Sequence, residues 1–300
     1  MGTPAGSGGA QISTIKSVSG HDGVYLDVTA VTGEDPASGS PPMVFLGADE
    51  DGHENGLITS AEGDVDLRLN HGRLLTAESS SYDDGDAVDV AYVLKNLSAP
   101  GPDGDIVAAA PGMESAGVHL ILTGGLMASD GVSLGVASAG SIWRPDAAAD
   151  QLISAAHVDL NAGLGSIGAG GAALRTDLTG GRLDASAQGA ILVTEVSGDL
   201  RVGTVASAAD VTLTAQGGIA DDMTDALCDI SGSHITLVAG SGIGKSDNDL
   251  DIESALLTAA AGGDIHIGEA TGDLNLDRAA STGGGVTLTA AGGSILDGAG

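Results

Sequence analysis

The feature that most constrains the fold of this chain is an internal repeat. The segment VTLTAQGGI at 211–219 returns as VTLTAAGGSI at 286–295, and TEVSGDLRV at 194–202 returns as GEATGDLNL at 268–276. A weaker copy, VSLGVASAGSI, lies at 132–142. The unit is therefore about 75 residues long. Self-similarity at a fixed period is typical of solenoids, in which each unit buries its apolar face against the next.

Short stretches within the repeats alternate apolar and polar residues, a pattern that places every second side chain on one face of an extended strand. Such stretches lie at 24–28, 65–69, 118–122, 132–136, 158–162, 211–215, 235–239 and 286–290. Residues 86–97 fit two interpretations, because Val90, Val93 and Leu97 could line a helix face. We predict a strand there, since Val88, Val90, Tyr92 and Leu94 also alternate.

Gly-Asp doublets precede many of the apolar stretches, with their glycines at Gly63, Gly104, Gly198, Gly263 and Gly272. Glycine can adopt positive φ, and aspartate can hydrogen-bond nearby backbone groups. We expect each doublet to form a tight corner that leads into a new strand.

These patterns predict an all-β fold, a parallel β-helix. Strand starts at 211, 235, 257, 265 and 286 fit coils of about 20 to 28 residues, whereas an antiparallel sandwich would favour two-residue hairpins. With one Trp, one Phe and three Tyr in 300 residues, the core must consist of Val, Ile, Leu and Ala.

The chain divides into three parts. Residues 1–10 are expected to be a disordered lead, and residues 11–117 irregular coils with projecting loops at 33–42, 79–86 and 98–105. Residues 118–300 are expected to be a regular β-helix that continues beyond this sequence.

The charge excludes several partners. The chain has 41 acidic and 10 basic residues, a net charge of −31, so it repels nucleic acid and anionic membrane surfaces. The longest apolar stretch, 118–127, is about half of a bilayer span, and the first 30 residues lack the features of a secretory signal. Cys228 is the single cysteine, which excludes an intrachain disulfide.

Two segments imitate nucleotide-binding motifs. ITLVAGSGIGKS at 235–246 resembles a phosphate-binding loop but has Ala239 where that motif needs glycine, and no helical pattern follows. Gly163, Gly165 and Gly168 spell GxGxxG after a strand. Because one repeat position imitates two unrelated motifs, a strand-ending glycine turn explains both without a ligand.

The candidate metal site is an acidic loop at 47–63. Asp51, Asn55 and Glu62 fall at positions 1, 5 and 12 of a calcium loop, and Asp49 adds a further carboxylate. His53 at position 3 is a poor ligand for a hard cation, and the flanking helices are missing. The loop is either an acidic surface turn or a calcium site, and no other cofactor is expected.

The sequence offers no convincing catalytic set. Glu195 with Asp199 recurs as Glu269 with Asp273, and paired carboxylates could cleave glycosidic bonds. His157 and His234 share one repeat position before a strand. Recurrence favours a structural role, because an active site is normally single. We therefore expect a protein that is not an enzyme.

The text VTLTAAGGSILDG, GGDIHIGEATGDLNL and ITLVAGSGIGKSDNDLDIESALLTA resembles the repeat regions of very large bacterial surface proteins, the filamentous-haemagglutinin-like adhesins. The resemblance covers residues 118–300 well and 11–117 loosely. It implies a right-handed β-helical stalk of an exported protein at the bacterial cell surface, with a role in adhesion or cell–cell contact. It supplies no catalytic motif, and the secretion domain typical of the family is not in this sequence.

Two alternatives to a stalk remain. The loops at 33–63 or 79–105 could bind a glycan or protein on a host or neighbouring cell, and a polysaccharide-active enzyme could use the same scaffold. Unpaired strand edges also allow rods to associate end to end or laterally.

Overall fold

The computed structural model describes residues 13–15, 17–30, 43–47, 56–71, 90–110, 118–137, 140–145, 150–168 and 172–298. These residues form 27 strands, and they contain no α-helix. The described part accordingly holds no helix long and apolar enough to cross a membrane. The expected lead at 1–10 and the expected loops at 33–42 and 79–86 lie outside the described residues.

The strands are short, and most have alternating burial. The first nine are β1 (Ser13–Ile15), β2 (Ser17–Gly20), β3 (Val24–Ala30), β4 (Met43–Leu46), β5 (Leu57–Ser60), β6 (Val65–His71), β7 (Val90–Leu94), β8 (Leu97–Ala99) and β9 (Ile106–Ala110). The next nine are β10 (Val118–Leu122), β11 (Leu126–Ala128), β12 (Gly131–Val136), β13 (Ile142–Trp143), β14 (Ile153–Ser154), β15 (His157–Ala162), β16 (Leu174–Asp177), β17 (Arg182–Ala187) and β18 (Ile191–Glu195). The last nine are β19 (Leu200–Ser207), β20 (Val211–Ala215), β21 (Ile219–Asp221), β22 (Ile230–Ala239), β23 (Leu250–Ala261), β24 (Ile265–Glu269), β25 (Leu274–Ser281), β26 (Val286–Ala290) and β27 (Ile295–Asp297).

All pairs between these strands are parallel, and each strand pairs with the equivalent strand of the next coil. Residues in register form long columns. The first column contains Ile142, Ile167, Ile191, Val211, Ile235, Leu257 and Leu276. The second column contains Leu134, Leu160, Ala185, Val205, Ile230, Ile252, Glu269 and Ala290.

This register confirms the predicted parallel β-solenoid. All eight alternating stretches lie in strands, and the ambiguous stretch at 86–97 contains β7, a strand as predicted. The right-handed sense implied by the family resemblance stays a prediction, because pairing register alone does not fix the hand of the coil.

The 75-residue repeat does not correspond to a whole number of coils. Successive members of the first column are 19 to 25 positions apart, so 75 residues fall between three and four coils. The two VTLTA copies therefore lie in different columns. Strand β20 pairs with β18 and β22 in the first column, whereas β26 pairs with β24, which contributes Glu269 to the second.

The core is a narrow stack of aliphatic side chains, as the composition predicts. In β20, Val211 and Leu213 are fully buried, and β15 alternates exposed and buried positions along its whole length. Tyr92 is the one buried aromatic side chain among the described residues, and its hydroxyl donates to the carbonyl oxygen of Val28 at 3.2 Å. Each inward side chain thus packs on its in-register neighbours above and below.

One loop expectation is wrong. Residues 98–105 do not form a projecting loop: Ser98 and Ala99 belong to β8, and the remaining residues make a tight corner before β9. Gly101 and Gly104 are buried in this corner, and the Gly104 N–H donates to the carbonyl oxygen of Gly101 at 3.1 Å. The prolines at 100 and 102 are exposed on its outer side, so a polar, proline-containing stretch does not require a long excursion.

Glycine at a corner can be required by the close approach of the neighbouring coil. A Cβ on Gly181 would lie 1.4 Å from the Ala156 carbonyl oxygen, which accepts the Arg182 N–H. We predict that Gly181→Ala lowers the free energy of unfolding by about 2–3 kcal/mol, because the coils must separate there. Gly135→Ala is the matched control: its Cβ meets nothing within 4 Å. Urea denaturation measures both, and equal effects would contradict this account.

Candidate functional site: the corner and core carboxylates

The aspartates of the five Gly-Asp doublets all bind the next coil. In each, Oδ1 accepts a backbone N–H from the residue that holds the equivalent place one coil further on. The pairs are Asp64 with Asp105 (3.1 Å), Asp105 with Gly131 (2.7 Å), Asp199 with Gly218 (2.6 Å), Asp264 with Gly285 (2.7 Å) and Asp273 with Ser294 (2.7 Å). We call these five residues the corner aspartates.

The structure confirms that the doublets form corners. Each is followed directly by a strand: β6, β9, β19, β24 or β25. Positive φ occurs in two of the glycines, Gly198 (71°) and Gly272 (76°). At Gly63 the reason for glycine is space, since a Cβ would lie 1.9 Å from the carbonyl oxygen of Asp22. Aspartate recurs at these positions because backbone N–H groups of the next coil need a hydrogen-bond acceptor there.

Glu195 is a second kind of carboxylate, buried in the core. It is 1% exposed and accepts hydrogen bonds from the Thr176 hydroxyl at 2.8 Å and from the backbone N–H groups of Leu178 and Ser197 at 3.3 and 3.4 Å. Burial raises its pKa to about 7 despite these donors, and Asp177 adds to the rise. Both carboxylate oxygens are therefore partnered.

Glu269 is the counterpart of Glu195 in the repeat. It is 2% exposed, and the backbone N–H groups of Ser254 and Thr271 donate to it, as those of Leu178 and Ser197 do to Glu195. Burial raises the Glu269 pKa to about 7, with Glu253 contributing in the way that Asp177 does at Glu195. The two glutamates lie in different columns but in closely similar surroundings.

Asp221 and Asp229 form a carboxyl pair in the same part of the chain. Asp221 accepts from the Met223 N–H at 2.6 Å and from the Asn248 side-chain amide at 2.8 Å, and Asp229 accepts from the Asp251 N–H at 2.9 Å. Burial, together with the charge of Asp221 and a hydrogen bond to it, raises the pKa of Asp229. Burial and the neighbouring Asp221 carboxylate therefore both disfavour the charged form of Asp229.

The predicted calcium site falls largely outside the described residues. Asp49, Asp51 and Asn55 are not described, and Glu62 is. The Glu62 carboxylate lies 3.8 Å from His21 Nε2, and His21 Nδ1 lies 2.8 Å from Asp22 Oδ1. All three of these side chains are exposed on the surface. The calcium loop stays a prediction, and the proximity of His21 to Glu62 was not predicted from the sequence.

The nucleotide-like motifs are strand-ending turns. After Gly244 and Lys245 the chain enters β23 at Leu250, so no helix N-terminus is available for phosphate. The groove beside Lys245, about 540 Å³, is lined by Asp199, Asp247 and Asp264, whose charges oppose phosphate. The GxGxxG segment is likewise a turn, with Ile167 bridging the first column between Ile142 and Ile191.

The two histidines that share a repeat position both contact an adjacent coil. His157 Nδ1 lies 3.2 Å from Asp130 Oδ1, and His234 Nε2 lies 2.9 Å from the Thr258 hydroxyl. These contacts hold both rings against an adjacent coil, which fits the stacked position predicted for them.

Comparison of the chain with protein-family models, with curated proteins and with solved structures finds no match. The functional conclusion therefore rests on the geometry and on the sequence pattern.

Sequence reasoning identified Glu195 and Glu269 as recurring but did not predict their burial. The signal was present in the strand pattern: ILVTE and IHIGE place glutamate where VTLTA has alanine, at an inward position. Alanine lies next to each in register, Ala215 beside Glu195 and Ala290 beside Glu269. A small neighbour leaves room for the longer side chain.

The corner aspartates should contribute to stability through single hydrogen bonds. We expect Asp199→Ala to lower the free energy of unfolding by about 1–2 kcal/mol, because the buried Gly218 N–H loses its acceptor. Asp210→Ala, at an exposed aspartate, should change it by less than about 0.5 kcal/mol. Chemical denaturation of both variants checks this, and a loss at Asp210 as large as at Asp199 would refute the capping role.

The raised pKa of Glu195 predicts a pH-dependent stability. Between its ordinary pKa of 4.5 and its folded-state pKa of about 7, the folded protein keeps a proton that the unfolded chain releases. This contribution is complete below pH 4.5 and is lost as pH rises through 7, by about 3 kcal/mol in total. Glu195→Gln should therefore stabilise the protein relative to wild type at pH 8 more than at pH 5. Urea unfolding at both pH values measures it, with exposed Glu62→Gln as the control; a pH-independent effect at Glu195 would contradict it.

Proposed function

We propose that this chain is a non-catalytic structural segment, a stalk, of a very large exported bacterial surface protein that acts in adhesion or cell–cell contact. The observation that carries the proposal is that the recurring Gly-Asp doublets serve coil-to-coil contacts. All five corner aspartates accept backbone N–H groups of the next coil, so their recurrence has a structural cause.

The strand register supports the same conclusion. The first column runs in register from Ile142 to Leu276, so the coils form a continuous array. Coils of a parallel solenoid are spaced by about 4.8 Å, and each added coil extends the structure by that amount. The length of such a fold therefore increases in proportion to the number of coils. The acidic exterior keeps neighbouring stalks apart by charge repulsion.

Surface display tests the proposal. The chain is placed between an outer-membrane anchor and a reporter epitope, and two whole coils are removed by deleting 211–256, which joins Asp210 to Leu257 in register. We expect a folded protein whose epitope lies about 10 Å closer to the cell. Deleting 211–222 instead breaks the register and should unfold the array. A stalk should behave in the same way whichever whole coils are removed.

Binding of the isolated segment to a glycan or protein array separates the competing function. Saturable binding that is lost when the segments joining β3 to β4, β4 to β5 or β6 to β7 are shortened would identify a binding module and overturn the stalk. Hydrolysis or elimination of acidic polysaccharides by the segment would overturn its non-catalytic character.

A further inference from the structure

A polar groove runs along one corner of the coils, on the side where Glu269 lies. It has a volume of about 580 Å³, and its lining includes Ser207, Ser231, Glu253, Ser254, Glu269 and Thr271. Its lining contains hydroxyl and carboxylate oxygens but no lysine, arginine or histidine among the described residues. Two carboxyl side chains therefore share this groove, and no basic side chain of the described residues lines it.

Glu269 lines this groove and has one buried carboxylate oxygen without a partner in the part of the chain that the structure describes. Its residue is 2% exposed, and Oε2 has no hydrogen-bond partner among the described residues. The Ser254 hydroxyl, on the same wall, is also buried and without a partner there. Buried carboxylate and hydroxyl oxygens are rarely left without a partner, because each loses its hydration on folding.

The comparison with Glu195 shows what differs. Thr176 pairs in register with Glu195 and donates to its Oε2, whereas the residue in register with Glu269 is Ile252, which has no donor. Two residues further along, buried Leu178 at the first site corresponds to Ser254 at the second. At the first site Thr176 partners the second carboxylate oxygen, whereas at the second site that oxygen and the Ser254 hydroxyl have no partner among the described residues.

We propose that the groove binds a hard divalent cation, Ca²⁺, through the carboxylates of Glu269 and Glu253 and the hydroxyl of Ser254. Calcium prefers six to eight oxygen ligands and tolerates irregular arrangements, so carboxylates, a hydroxyl and water suit it. The cation supplies the positive charge that the wall of the groove lacks. This site is separate from the loop at 47–63 and goes beyond the proposed stalk.

Calcium binding by the whole chain tests the proposal, with Asp51→Ala in every protein so that the 47–63 loop does not contribute. Isothermal titration with CaCl₂ alone is done in about 0.15 M NaCl, which screens diffuse binding to the acidic surface. We expect Glu269→Gln to remove one equivalent of bound Ca²⁺. Exposed Glu253→Gln should weaken that equivalent about tenfold.

Glu195→Gln is the matched control, since it neutralises an equally buried glutamate whose oxygens are already partnered. It should keep the full number of bound ions. Thermal unfolding gives an independent readout: millimolar Ca²⁺ should raise the melting temperature by about 3 °C in the background protein and in Glu195→Gln, and not in Glu269→Gln.

Unchanged stoichiometry and affinity in Glu269→Gln would overturn the proposal. So would an equal loss of binding in Glu195→Gln, since that would reflect total charge rather than this groove. Circular dichroism establishes that each variant is folded. If Glu269→Gln does not fold, Glu253→Gln on the exposed rim decides the matter, and unweakened binding by that variant would also overturn the site.

Discussion

The structure depends on in-register hydrogen bonding between successive coils. Parallel strands spaced by about 4.8 Å bring every residue against its counterpart in the next coil. An inward position must therefore suit a whole column, as the run from Ile142 to Leu276 shows. At the corners the same spacing leaves little room, and Gly181 lies where a single added carbon would meet a carbonyl of its neighbour.

Carboxylates have two distinct uses in this framework. The corner aspartates accept hydrogen bonds from backbone N–H groups that lie just before or at the start of a strand of the next coil. None of these five aspartates is buried. Glu195 and Glu269 occupy core positions, where burial raises both pKa values to about 7. Their surroundings differ at two places, since Ile252 and Ser254 at Glu269 stand where Thr176 and Leu178 stand at Glu195. Two residues of the adjacent coil thus decide whether both oxygens of the buried carboxylate have a partner among the described residues.

The strands and corners could be predicted from the sequence because both depend on local chemistry. Alternation at 211–215 sets which side chains face inward, and Gly198-Asp199 sets where the chain bends. The column that a strand joins could not be predicted, since it depends on summed coil lengths, so the two VTLTA copies looked equivalent and are not. The strand pattern IHIGE already places Glu269 at an inward position, but its neighbours Ile252 and Ala290 are distant in the sequence and could not be predicted.

The two copies of the VTLTA motif lie in different columns, and this affects how such a chain can lengthen. A copy displaced by 75 residues lies in a different column from its parent copy, as β26 does relative to β20. The array can accept this second copy only if both columns tolerate the same side chains. Lengthening by recombination between copies therefore keeps the array in register only where the inserted residues complete whole coils.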